Sequence, residues 1–229
     1  VNDKDTLSRL TEAVAALDTA HEGRRNRGHI ERSRVEITLG HLHSVARGVG
    51  AMLDQCARSA PWLALDTDTV ETVAEFEGSV RATTPLCAST TQALRVAHNA
   101  AWAAYCPTEP GAPRFGLMVG ENVVFAVEEA AGLLSHGATP VITTAVMHEV
   151  VGALLRITEL VVELLGRCSE ATDELGRNAT TATAAEGYRA ANQAVGNARR
   201  RTVELRQGLA ALHEQAGQLR ELSVRTRRP

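Results

Sequence analysis

The feature that most limits what this chain can become lies in its last quarter. Tyr188, Ala191, Val195, Ala198, Thr202, Leu205, Leu209, Leu212, Ala216 and Leu219 follow one another in steps of three and four, with no proline between them. That stepping keeps all ten on one side of an α-helix, and so predicts one long helix with an apolar seam over residues 184–223. Such a seam cannot face water along its whole length, so it demands a partner helix. Ala and Thr leave its first half weak, while Leu205, Leu209, Leu212 and Leu219 make the second half strong. These leucines read as an oligomerisation seam, filled by helices of the same chain or by the same helix of a second subunit.

Nothing upstream argues for strands. No segment alternates with period two, hairpin turn pairs are missing, and apolar residues recur at helical spacing. A first helix is predicted over residues 5–25, with Leu7, Leu10, Val14 and Leu17 as its stripe. A second, over 30–58, carries a heptad seam of Val35, Leu39, Leu42, Ala46, Val49, Leu53 and Cys56. A third opens on a capping box formed by Asp68 and Glu71, with Val70, Val73, Phe76 and Val80 facing inward. Thr84-Pro85 reads as the N-cap and first position of a fourth, which carries Leu86, Leu94, Ala97, Ala101 and Ala104. A Pro/Gly-rich loop at 106–116 precedes a fifth over 117–135. Thr139-Pro140 then starts a sixth, central helix with Met147, Val150, Leu154, Ile157, Val161, Leu164 and Cys168 as its seam. Residues 173–187 are small and polar and read as a hinge. The expected fold is therefore all-α: a helical bundle of six or seven helices with a long coiled-coil-like C-terminal helix. Residues 1–176 form the bundle core, and 177–229 form a basic helix packing on it or on a second subunit.

Composition narrows the partners. Aromatic residues are only 3% of the chain, so a platform of stacked rings for single-stranded nucleic acid is disfavoured. The net charge of −3 hides a split: residues 1–49 sum to +1, 50–176 to −10 and 177–229 to +6. The basic tail suits nucleic acid or an acidic partner, the chain's own middle included. Cys56, Cys87, Cys106 and Cys168 show no C-x-x-C spacing, which argues against structural zinc. They read as reduced thiols of a cytoplasmic protein, with a Cys87–Cys106 bridge as the lesser alternative. The opening residues lack the apolar run of a signal peptide. The most apolar window, 141–165, holds His148, Glu149, Arg156, Glu159 and Glu163, so it is read as a core helix with no membrane role.

One stretch invites chemistry. In the second predicted helix Glu36 and His43 stand seven residues apart and flank the seam at Val35 and Leu42. A Glu and a His projecting inward from one bundle helix are the raw material of carboxylate-bridged di-metal sites. Over these eight residues the E-x6-H spacing resembles the first ligand helix of the heme-oxygenase-like di-iron oxidases. The resemblance implies iron, or manganese, held in part by Glu36 and His43. That family also needs a later Glu and an H-x-x-x-D/E-x-x-H helix. Here His148 is followed at those offsets by Gly152 and Leu155, and His98 by Trp102 and Tyr105, so the carry-over ends at Glu36 and His43. His148 would join them only by turning toward His43. The competing account makes all three wet helix flanks, with Arg32 and Arg47 beside Glu36 and His43.

The remaining candidates are weaker. Glu128-Glu129 suits paired carboxylate chemistry only if one member faces a pocket near Glu121, and a solvated face explains both. Arg199, Arg200 and Arg201 would contact phosphates or an acidic partner, but three consecutive arginines spread around a helix and make no one-sided reader. Nucleophile elbows, phosphate loops and dinucleotide fingerprints are missing. The leading expectation is a non-enzymatic interaction or scaffold protein with a protein partner or a second copy of itself. A metal-dependent oxidase and a nucleic-acid-associated protein stand behind it.

Overall fold

Sequence periodicity becomes helix at every element of the computed structural model, which describes residues 3–25, 35–65, 70–104, 124, 126–130 and 143–226. These form α1 (Asp3–Arg25), α2 (Val35–Ser59), a 3-10 turn (Ala60–Leu65), α3 (Val70–Ala104), α4 (Thr144–Arg177) and α5 (Ala182–Thr226). A short helical segment at 126–130 lies between α3 and α4. Among the described residues there is no strand, and no helix is long and apolar enough to cross a membrane. The loop expected at 106–116 and most of the helix expected at 117–135 lie outside the described residues.

Four helices close on one another. α2 packs on α3, α3 on α5, α5 on α4 and α4 on α2, while α1 docks on α4. Neighbours run antiparallel. Cys87 of α3 donates to the Ala46 carbonyl of α2 at 3.4 Å, while His98 lies beside Gly40. Along α4 and α5, Ser169 meets Asn192, Gly166 meets Arg199 and His148 meets His213. This is four-helix-bundle geometry in which the helices run up, down, down and up in chain order, built on the apolar stripes of the individual helices. Phe76, Leu39, Met52, Leu94, Met147, Leu154 and Ile157 are fully buried at its centre.

α5 occupies the position its sequence demanded. Its 45 residues span roughly 68 Å at ~1.5 Å per residue. Leu205, Leu209, Leu212 and Leu219 are each at most 2% exposed. They are covered inside a single chain, by the helices that flank α5. Of the two occupants expected for the seam, helices of the same chain fill it: α3 and α4 together supply the apolar cover that a second subunit would otherwise have brought.

Three boundaries differ from the expectation, each for a local reason. The third and fourth predicted helices are one, because α3 runs through Pro85. Proline withdraws one amide from the ladder, but the stripes on either side of it share a face: Val73, Phe76, Val80, Leu94, Ala97 and Ala101 are all buried. Packing along α2 and α5 outweighs the single lost bond. The central helix starts at Thr144 with Thr143 as N-cap, where the Thr139-Pro140 pair had been expected to open it. Thr143 is extended (φ −70°, ψ 158°), and its hydroxyl accepts from the Val146 amide at 3.3 Å. The expected hinge shrinks to residues 178–181. Thr181 caps α5 by accepting from the Ala184 amide at 3.2 Å, and the Ser169 hydroxyl donates to Asn192 Oδ1 at 2.6 Å, clasping the two helices near the turn.

Candidate functional site

The three residues expected to hold a metal do not converge. Glu36 sits in the first turn of α2 and is 6% exposed. His43, two turns on, is half-buried and faces α3 rather than α4. Burial, followed by the positive fields of Arg47, His98 and Arg95, holds its imidazole below the ordinary histidine range. A cation would meet two guanidinium groups at that position. His148 projects from α4 onto α5, where its ring stacks on His213 at a centroid separation of 4.3 Å and 12° between planes. Its Nδ1 is buried without a hydrogen-bond partner. Parallel stacked rings aim their in-plane lone pairs side by side, so they do not point at a common ion. Among the described residues no group of three or more His, Cys, Asp or Glu is placed to hold a metal. The ligand set of Glu36, His43 and His148 is therefore corrected: helix topology assigns His43 to the α2–α3 contact and His148 to the α4–α5 contact.

The histidine pair fits because both helices offer glycine there. A Cβ on Gly152 would lie 2.9 Å from His213 Nε2, and one on Gly217 would lie 3.5 Å from His148 Cε1. Each ring thus rests against bare backbone of the opposite helix. Burial, and then His148, lower the pKa of His213.

The cysteines are core. Burial pushes both the Cys56 and the Cys87 thiol up to about 12, which leaves them protonated and unreactive. Cys87 is a free thiol, so the alternative of a Cys87–Cys106 bridge is set aside; Cys106 itself lies outside the described residues. Glu128 and Glu129 are both exposed, and Glu129 meets Arg9 at 3.1 Å. They do not converge as an acid/base pair, and Glu121 lies outside the described residues.

The arginine triplet divides as consecutive helix positions must. Arg201 pairs with Glu204 at 2.9 Å, the Arg199 guanidinium lies near Gly166 of α4, and Arg200 points to solvent. The same habit recurs over the surface: Arg9 pairs with Glu12, Arg81 with Glu77, Arg156 with Asp18 and Glu159, and Arg177 with Asp173.

Sequence reasoning passed over the feature that sets this surface apart. Both tryptophans stand in solvent, Trp62 at 44% and Trp102 at 61% exposure. Trp62 lies in the 3-10 turn beside the start of α3, and Trp102 lies in the last turn of that helix. The signal was available, since Val96, Asn99 and Trp102 fall opposite the buried stripe of Leu94, Ala97 and Ala101. No family model matches this sequence, and no curated protein or solved structure matches it either.

Proposed function

We propose that the chain is a non-enzymatic helical interaction protein, a scaffold that binds a protein partner or a second copy of itself through exposed helix surfaces. The observation that carries this reading is the exposure of both tryptophans at opposite ends of α3, outside a well-buried aliphatic core. Tryptophan gains more than most side chains from being covered, and it is over-represented among the residues that dominate binding energy. Ile37 and Val96 are also exposed and belong to the same pair of helices, α2 and α3. The long α3, α4 and α5 supply a rigid frame, and the three–four stepping of α5 supports coiled-coil-like packing within it.

The test is a photo-crosslinking residue placed at 62, at 102 and, as a control, at 200 on the outer face of α5. Adducts to one protein from 62 or 102 but not from 200 are expected. The binding constant of the purified pair should then weaken about tenfold or more in Trp102→Ala or Trp62→Ala, as for an anchor residue. Adducts only from 200, or an unchanged constant in both variants, would overturn the reading. So would near-stoichiometric iron or manganese lost in Glu36→Ala and His43→Ala.

A further inference from the structure

Two exposed arginines on neighbouring helices stand outside the ion pairs described above. Arg47 of α2 and Arg95 of α3 have no carboxylate partner among the described residues. Each instead shares a helix face with a histidine about one turn away: Arg47 with His43, and Arg95 with His98. The antiparallel register of α2 and α3 brings the two couples together. It is fixed by His98, whose Nε2 lies 3.3 Å from where a Cβ on Gly40 would stand, so the ring crosses onto the α2 backbone one turn before His43. His43 then falls level with Arg95. The fields of Arg47, His98 and Arg95 all reach His43, and no acidic group among the described residues acts on it.

Four basic side chains at one helix crossing repel one another, although the residues from 50 to 176, Arg95 included, sum to −10. The geometry points to a binding site for a phosphate-class oxyanion, formed by His43 and Arg47 of α2 with Arg95 and His98 of α3. Guanidinium forks match tetrahedral oxyanions, and the imidazoles add further N–H donors. Two permanent charges suit a divalent anion better than a monovalent carboxylate. Trp102 lies beside the cluster, its ring centroid 6.4 Å from that of His98, so a ligand larger than the anion would meet an indole there. The site commits to a small soluble phosphorylated ligand, and it stands independently of the interaction reading above.

The experiment is calorimetric titration of the full chain with inorganic phosphate, repeated on Arg47→Gln, Arg95→Gln and the double variant. Both arginines are exposed, so an unchanged melting curve serves as the control for folding. Saturable one-to-one binding that weakens about tenfold for each arginine replaced is expected. In the wild-type chain the His43 and His98 ring resonances should move on phosphate addition, a readout that needs no variant to fold. Lack of saturable binding, equal binding by the double variant, or unmoved His43 and His98 signals would overturn the site. Binding to phosphatidic-acid vesicles without binding to free phosphate would do the same.

Discussion

Single residues decide how closely the helices approach, and glycines report it most sharply. A Cβ on Gly48 would stand 2.3 Å from Val127 Cγ1, and Val127 is fully buried. Gly78, on the outside of α3, meets nothing within 4 Å. Gly48→Ala should therefore destabilise the chain by about 1–3 kcal/mol through overpacking. Gly78→Ala should stabilise it by roughly 0.5–1 kcal/mol through helix propensity. Urea denaturation of the two variants checks both signs. His213 makes the pH prediction at this scale. Its pKa is lowered in the folded chain from the usual 6.5, first by burial and then by His148. The unfolded chain therefore takes up the proton more readily, and stability present above pH 6.5 is lost as pH falls through that value. His43 contributes with the same sign. Denaturation at pH 7.5 and pH 5.5 should show the loss in the wild type and a smaller one in His213→Gln. Nothing in the sequence flagged His213, because a stacked partner is set by register between α4 and α5 and not by spacing along either helix.

Elements were legible where periodicity speaks for a whole face. All seven predicted seam residues of α2 and all seven of the central helix are buried. Their spacing alone determines which side is apolar, and one side is what a bundle covers. Helix ends were less legible because they turn on single hydrogen bonds. Thr143 and Thr139 look alike in sequence; the hydroxyl of Thr143 accepts from the Val146 amide, and Thr139 lies outside the described residues. Pro85 is the instructive miss. It carried the local signature of a start, yet long-range packing carries α3 across it. Thr83 and Thr84 donate instead to the carbonyls of Ser79 and Val80, four residues back. Pro85→Ala restores an amide to the ladder and removes a ring from the preceding turn. It should raise stability by about 1–3 kcal/mol, read as an upward shift in denaturation midpoint with unchanged slope.

At the scale of the whole molecule, the chain closes its longest seam within itself. The sequence left two occupants for that seam, since periodicity shows that a partner is needed and never which one. Position in the bundle makes the choice: α5 lies between α3 and α4, and Leu209 retains no exposed surface. Leu209→Arg should consequently abolish cooperative folding of the monomer, rather than convert a dimer into a folded monomer, because an unpaired charge would enter the core. The candidate site was less legible than the fold. Glu36, His43 and His148 were plausible one helix at a time, but chemistry needs convergence, and convergence depends on which helices become neighbours. With the apolar seam used internally, the proposed binding falls to the outer surface, where Trp62 and Trp102 are 44% and 61% exposed. The most direct test is amide hydrogen exchange across residues 205–219, followed as the protein is diluted far below the concentration at which any self-association persists. The account predicts slow exchange close to the global unfolding free energy and independent of concentration. Protection that disappears on dilution would mean that a second chain covers the seam, and it would contradict the account.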